Sequence, residues 1–90
     1  MAHTVRDKTK LVNRVRRIRG QVEAIERALD SEQGCAEVLQ LIAGMRGAVN
    51  GLMGELMEQH LRVHVVEPAG APERAVGADE VIEVVRAYLK

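Results

Sequence analysis

The chain has no phenylalanine and no tryptophan, and Tyr88 is its one aromatic residue. That excludes a small core anchored on bulky rings, and it excludes the aromatic RNA-binding motifs. A single cysteine, Cys35, excludes an internal disulfide and fits a reducing compartment. No apolar run approaches transmembrane length, and the charge that begins at Arg6 leaves no signal-peptide core. The expected location is the cytoplasm, with no membrane partner. Ninety residues make one small domain, 1–90, that is marginal as a monomer and is expected to complete its core by self-association.

The charge is balanced but unevenly placed. Residues 1–20 carry Arg6, Lys8, Lys10, Arg14, Arg16, Arg17 and Arg19 against Asp7 alone, so the acidic excess falls in the rest of the chain. Such an asymmetry predicts a polyanion-binding face on an acidic body. The first helix is expected over residues 5–29, with Leu11, Val15, Ile18, Val22, Ile25 and Leu29 as a seam at alternating spacings of four and three. Lys10, Arg14, Arg16, Arg17 and Arg19 lie mainly off that seam and are read as solvent-facing phosphate contacts. No helix-turn-helix signature or zinc-finger spacing is present, so the expected contacts are to the backbone of double-stranded DNA and to its shape.

A second, long helix is expected over 33–66, through Val38, Ile42, Met45, Val49, Leu52, Leu56 and Val63. Gly44, Gly47, Ala48, Gly51 and Gly54 crowd its middle, and each glycine costs up to ~1 kcal/mol in a helix. The spacing is symmetric about position 49 and predicts close approach of a second copy in an antiparallel dimer. Residues 67–78 hold both prolines and read as a loop, with a short third helix from Asp79. The fold class is therefore all-α, with three helices per chain.

Cys35 stands at the start of the long helix and His60 and His64 near its end, the histidines four apart and able to grip one ion. Along a straight helix, the 25 positions from Cys35 to His60 cover ~37 Å. Reflection about position 49 places Cys35 of one copy between His60 and His64 of the other. His3 and the amine of Ala2, exposed if the initiator Met is removed, complete a nitrogen-rich donor set suited to Ni(II) or Co(II). A metal-buffering protein would not need the N-terminal charge. A thiol enzyme would need a pocket that the chain does not offer, so no enzymatic activity and no organic cofactor are expected.

The stretches Arg14-Val-Arg-Arg-Ile-Arg-Gly-Gln21, Arg46-Gly-Ala-Val-Asn-Gly-Leu-Met53 and Val85-Arg-Ala-Tyr-Leu-Lys90, with Cys35 and His60, resemble the copper-sensitive-operon repressor family over nearly the whole chain. That family includes nickel/cobalt-responsive (RcnR-type) and formaldehyde-responsive (FrmR-type) branches. The resemblance implies a homotetramer, a dimer of antiparallel dimers forming a helical bundle. It also implies repression through Arg14, Arg16, Arg17 and neighbouring cations, Lys10, Arg19 and Arg46 among them, and release of operator DNA by an inducer. His3, Cys35, His60 and His64 match the nickel/cobalt pattern, which implies derepression of a metal efflux gene. Copper sensors of the family carry a second cysteine where this chain has His64. The nickel branch typically has a glutamate where this chain has Val63. The alternative is the formaldehyde branch, in which an N-terminal proline amine and the cysteine are the reacting groups; Ala2 and Cys35 stand there in this chain.

Overall fold

The computed structural model describes residues 8–89, and these form three α-helices with one π-helical turn and no strand. Helix α1 spans Lys8–Asp30, α2 spans Cys35–Leu61, a π turn spans Arg62–Val66 and α3 spans Ala71–Tyr88. Ala2, His3 and the first residues expected in α1 lie outside the described residues. The chain divides into two compact units, one running to Met53 and the other beginning at Gly54. None of the described helices is long and apolar enough to cross a membrane.

In the first unit, α1 stops on local chemistry. Glu32 adopts φ 56°, and the chain reverses through Glu32 N–H to Leu29 O (3.1 Å) and Gln33 N–H to Ala28 O (3.0 Å). This pair of bonds is the left-handed helix stop usually made by glycine. The Ser31 hydroxyl donates to Arg27 O at 2.8 Å and satisfies a last-turn carbonyl. Gly34 then starts α2, its carbonyl accepting from the Glu37 and Val38 N–H groups. The Glu37 carboxylate fills the space that a Gly34 side chain would need. An acid three residues after the cap suits the positive end of a helix.

The two helices of this unit run antiparallel. Gln21 Nε2 lies 3.9 Å from where a Gly44 Cβ would stand, and Arg14 Nη1 lies 3.2 Å from the same point on Gly51. The inward face of α1 is Leu11, Arg14, Ile18, Gln21, Ile25 and Ala28, of which only Leu11 and Ala28 are buried. The inward face of α2 in this unit is Val38, Leu41, Met45, Ala48 and Leu52, all half-buried. Val15, Val22 and Leu29 are 51%, 49% and 61% exposed, and Leu39, Ile42 and Val49 are exposed as well. The expected seams thus split into two rows at heptad spacing, one packed within the chain and one facing outward.

That split corrects one expectation. Arg14 is not on the solvent face; it is half-buried, with its guanidinium against α2 at Gly51. Gly44 and Gly51 seat side chains of the same chain, whereas a methyl group added at Gly47 or Gly54 would meet no atom within 4 Å.

In the second unit, the π turn carries the helical path on to Val66, closed by Glu67 N–H to Arg62 O at 2.9 Å. The expected loop over 67–78 is wrong in extent, for α3 begins at Ala71, eight positions before Asp79. Pro72 lies in the first turn of α3, where its missing N–H costs nothing and its fixed φ favours the helix. Glu73 lays its carboxylate over Gly70, as Glu37 does over Gly34. Arg74 Nε donates to Pro68 O at 2.7 Å and ties the short connection down. Gly77 is the one buried residue of α3.

Candidate functional site

The histidines expected to bind an ion lie together in the second unit. The His60 and His64 ring centroids are 4.6 Å apart, with the planes tilted by 43°. Imidazoles sharing one ion at nitrogen–metal distances of ~2.1 Å have centroids roughly 4.5–5.5 Å apart, so the separation suits a common ligand.

Helix α3 fixes the orientation of His60. Its Nε2 is 3.1 Å from Gly77 O and 3.4 Å from Glu80 Oε1. A carbonyl and a carboxylate both accept, so Nε2 carries the proton in this arrangement. The Nδ1 lone pair is then the one offered to a ligand. Ligand histidines are commonly held in this way by an outer carbonyl or carboxylate. The two imidazoles, at this separation, fit a shared metal ion.

Cys35 is exposed and is the first residue of α2, while His60 is next to its last. Among the described residues of one chain, no group of three or more His, Cys, Asp or Glu side chains is arranged to hold a metal. Ala2 and His3 lie outside the described residues.

The expected DNA contacts fall into two sets. Lys10, Arg16, Arg17 and Arg19 are exposed on α1, and Arg46 is exposed on α2 between the outward residues Ile42 and Val49. Arg14 is the half-buried exception. Lys8, Lys10, Arg14 and Arg17 line an open concavity with Thr9 and Asn13, four cations among six lining residues. Such a surface attracts phosphate.

Sequence reasoning misses Gly77 and Glu80. Gly77 falls in the expected loop, where glycine needs no reason, and Glu80 is one acid among many. Once Pro72 is taken as a helix start, a glycine in the interior of α3 becomes a signal of close approach.

The family described as "Metal-sensitive transcriptional repressor" matches residues 7–87. The transcriptional repressor RcnR of Escherichia coli strain K12 is 47% identical over 90 residues, covering both chains in full. An uncharacterized protein in the bioA 5' region of Serratia marcescens is 50% identical over 91 residues, also covering both in full. Among solved structures, a histidine-for-glutamate variant of the formaldehyde-responsive regulator FrmR from Salmonella enterica serovar Typhimurium superposes with TM-score 0.84. It is 51% identical, with 97% of this chain and 99% of that one covered. The chain belongs to the metal-sensitive transcriptional repressor family, whose members are regulators of transcription and not enzymes.

Proposed function

We propose that this chain is a cytoplasmic, homotetrameric repressor that leaves its operator when Ni(II) or Co(II) binds between two copies, derepressing a metal efflux gene. The observation that carries this reading is the His60–His64 pair, 4.6 Å apart, with His60 Nε2 tied to α3 and Nδ1 left for a ligand. Cys35 of a second copy supplies the thiolate, and His3 with the N-terminal amine supplies further nitrogen. Nitrogen-rich sites of high coordination suit Ni(II) and Co(II), whereas Cu(I) prefers thiolates. Held by residues of two copies, such an ion would link the chains and add positive charge between them.

The outward rows support the assembly. Val15, Val22 and Leu29 on α1 and Ile42, Val49 and Leu56 on α2 each recur at heptad spacing and are uncovered in the single chain. Two copies of α2 laid antiparallel would cover such a row, as in a helical bundle, and bring each Cys35 to the other copy's histidine end. Lys10, Arg14, Arg16, Arg17, Arg19 and Arg46 are the cations proposed to hold operator phosphates. His3 precedes α1 by five positions in the sequence, so a ligand bound there would act on the basic helix through that short segment.

A second reading rests on the 51% identity to a formaldehyde-responsive regulator variant. In it the amine of Ala2 and the thiol of Cys35 condense with formaldehyde into an N–CH2–S bridge, releasing one water. The experiment that separates the two readings titrates the protein–operator complex separately with Ni(II), Co(II), Cu(I), Zn(II) and formaldehyde and scores release. Release by Ni(II) or Co(II) is expected. Release by formaldehyde alone overturns the metal reading.

A further inference from the structure

We infer that Gly77 is a positioning residue for the inducer-binding imidazoles, acting through its carbonyl on His60 and through its missing side chain on His64. The functional half of this inference rests on the reading of His60 and His64 as ligands; its geometric half does not.

Three observations converge on this residue. Gly77 is buried in the interior of α3, and His60 Nε2 lies 3.1 Å from its carbonyl oxygen. A Cβ on Gly77 would collide with His64 O, and it would stand 2.7 Å from His64 Cβ and 2.8 Å from the His64 carbonyl carbon. Those atoms are backbone or fixed to it, so no side-chain rotation relieves the overlap; α3 or the π turn must move. The same residue thus touches both histidines, one by a hydrogen bond and one by van der Waals contact.

The consequence is specific. Displacing α3 by one methyl group lengthens the His60–Gly77 bond and shifts His64 on its turn. His60 then loses the nearer of the two acceptors that keep the proton on Nε2, leaving Glu80 Oε1 at 3.4 Å, and its Nδ1 is held less firmly. A residue with only a packing role would lower stability and leave the surviving folded molecules with the same tautomer.

The test uses the full-length, metal-free protein and its Gly77→Ala variant, with the imidazole nitrogens observed by long-range proton–nitrogen NMR. Wild-type His60 is expected as the Nε2–H tautomer, and Gly77→Ala is expected to mix the tautomers and shift the His64 signals. With Co(II) alone as the probe, the variant is expected to bind at least about tenfold more weakly and with an altered visible spectrum. An Nδ1–H tautomer in the wild type overturns the inference, as does a folded Gly77→Ala protein with wild-type imidazole signals. If Gly77→Ala does not fold, the wild-type tautomer decides alone. Failure of the underlying reading looks different: His60→Ala and His64→Ala would then both keep wild-type Co(II) affinity, whatever the tautomer.

Discussion

The Arg14 guanidinium rests against the bare Cα of Gly51, with Nη1 3.2 Å from the point a methyl would occupy. One of the basic residues of α1 is therefore seated on α2, while Arg16, Arg17 and Arg19 are exposed. The two classes of arginine should behave differently on substitution. Arg17→Ala is expected to weaken operator binding and to reduce the slope of log affinity against log salt by about one. Arg14→Ala should in addition lower the melting temperature. Anisotropy titrations across salt concentrations, with thermal melts of the same proteins, check both.

The glycines of α2 sort in a similar way. Gly44 and Gly51 meet only the ends of Gln21 and Arg14, which can yield, whereas Gly47 and Gly54 face open space in the single chain. In an isolated chain, alanine at position 47 or 54 would stabilise the helix by up to ~1 kcal/mol. In the proposed dimer the added methyl obstructs a second backbone, so Gly47→Ala is expected to weaken self-association in sedimentation. A more stable, fully assembled Gly47→Ala protein would place the interface elsewhere.

Glu32 occupies a conformation that costs a side-chain-bearing residue about 1–2 kcal/mol. Glu32→Gly keeps the two turn hydrogen bonds and is expected to raise stability by roughly 1 kcal/mol, less the extra chain entropy of glycine. Melts at one fixed protein concentration are required, because assembly makes the midpoint concentration-dependent.

Inducer choice is separable by substitution. His64→Ala is expected to abolish operator release by Ni(II) and Co(II) without loss of repression. Release by formaldehyde, if it occurs, should survive His64→Ala and disappear in Cys35→Ala. Reciprocity adds a check: operator DNA should weaken metal affinity by the factor by which metal weakens DNA affinity, commonly ~1–3 kcal/mol of coupling.

The periodicity of α1 and α2 was legible because a 3–4 pattern survives any division of the face. What it could not reveal is which half packs inward. Leu11 and Val15 both belong to the pattern, yet Leu11 is 6% exposed and Val15 51%. The inner face instead includes Arg14 and Gln21, polar residues tolerated because Gly51 and Gly44 leave them room. The early start of α3 was hidden by the usual meaning of Pro-Ala-Gly-Ala-Pro, since proline both breaks helices and opens them. The histidine pair was legible from spacing alone; its outer partners were not, because a backbone carbonyl leaves no trace in composition.

The π turn has a genetic consequence. A wide turn of this kind is a helix with one residue too many, accommodated locally. Deleting Val65 from Arg62–Val66 would remove the extra residue, tighten the turn to an ordinary helical one and shorten by one residue the path from His64 to α3. Such an in-frame codon loss removes no histidine, no cysteine and no cation. Even so, it would draw Gly77 from its seat beside His64, and in the proposed repressor it would yield an allele that silences its operator and ignores its signal.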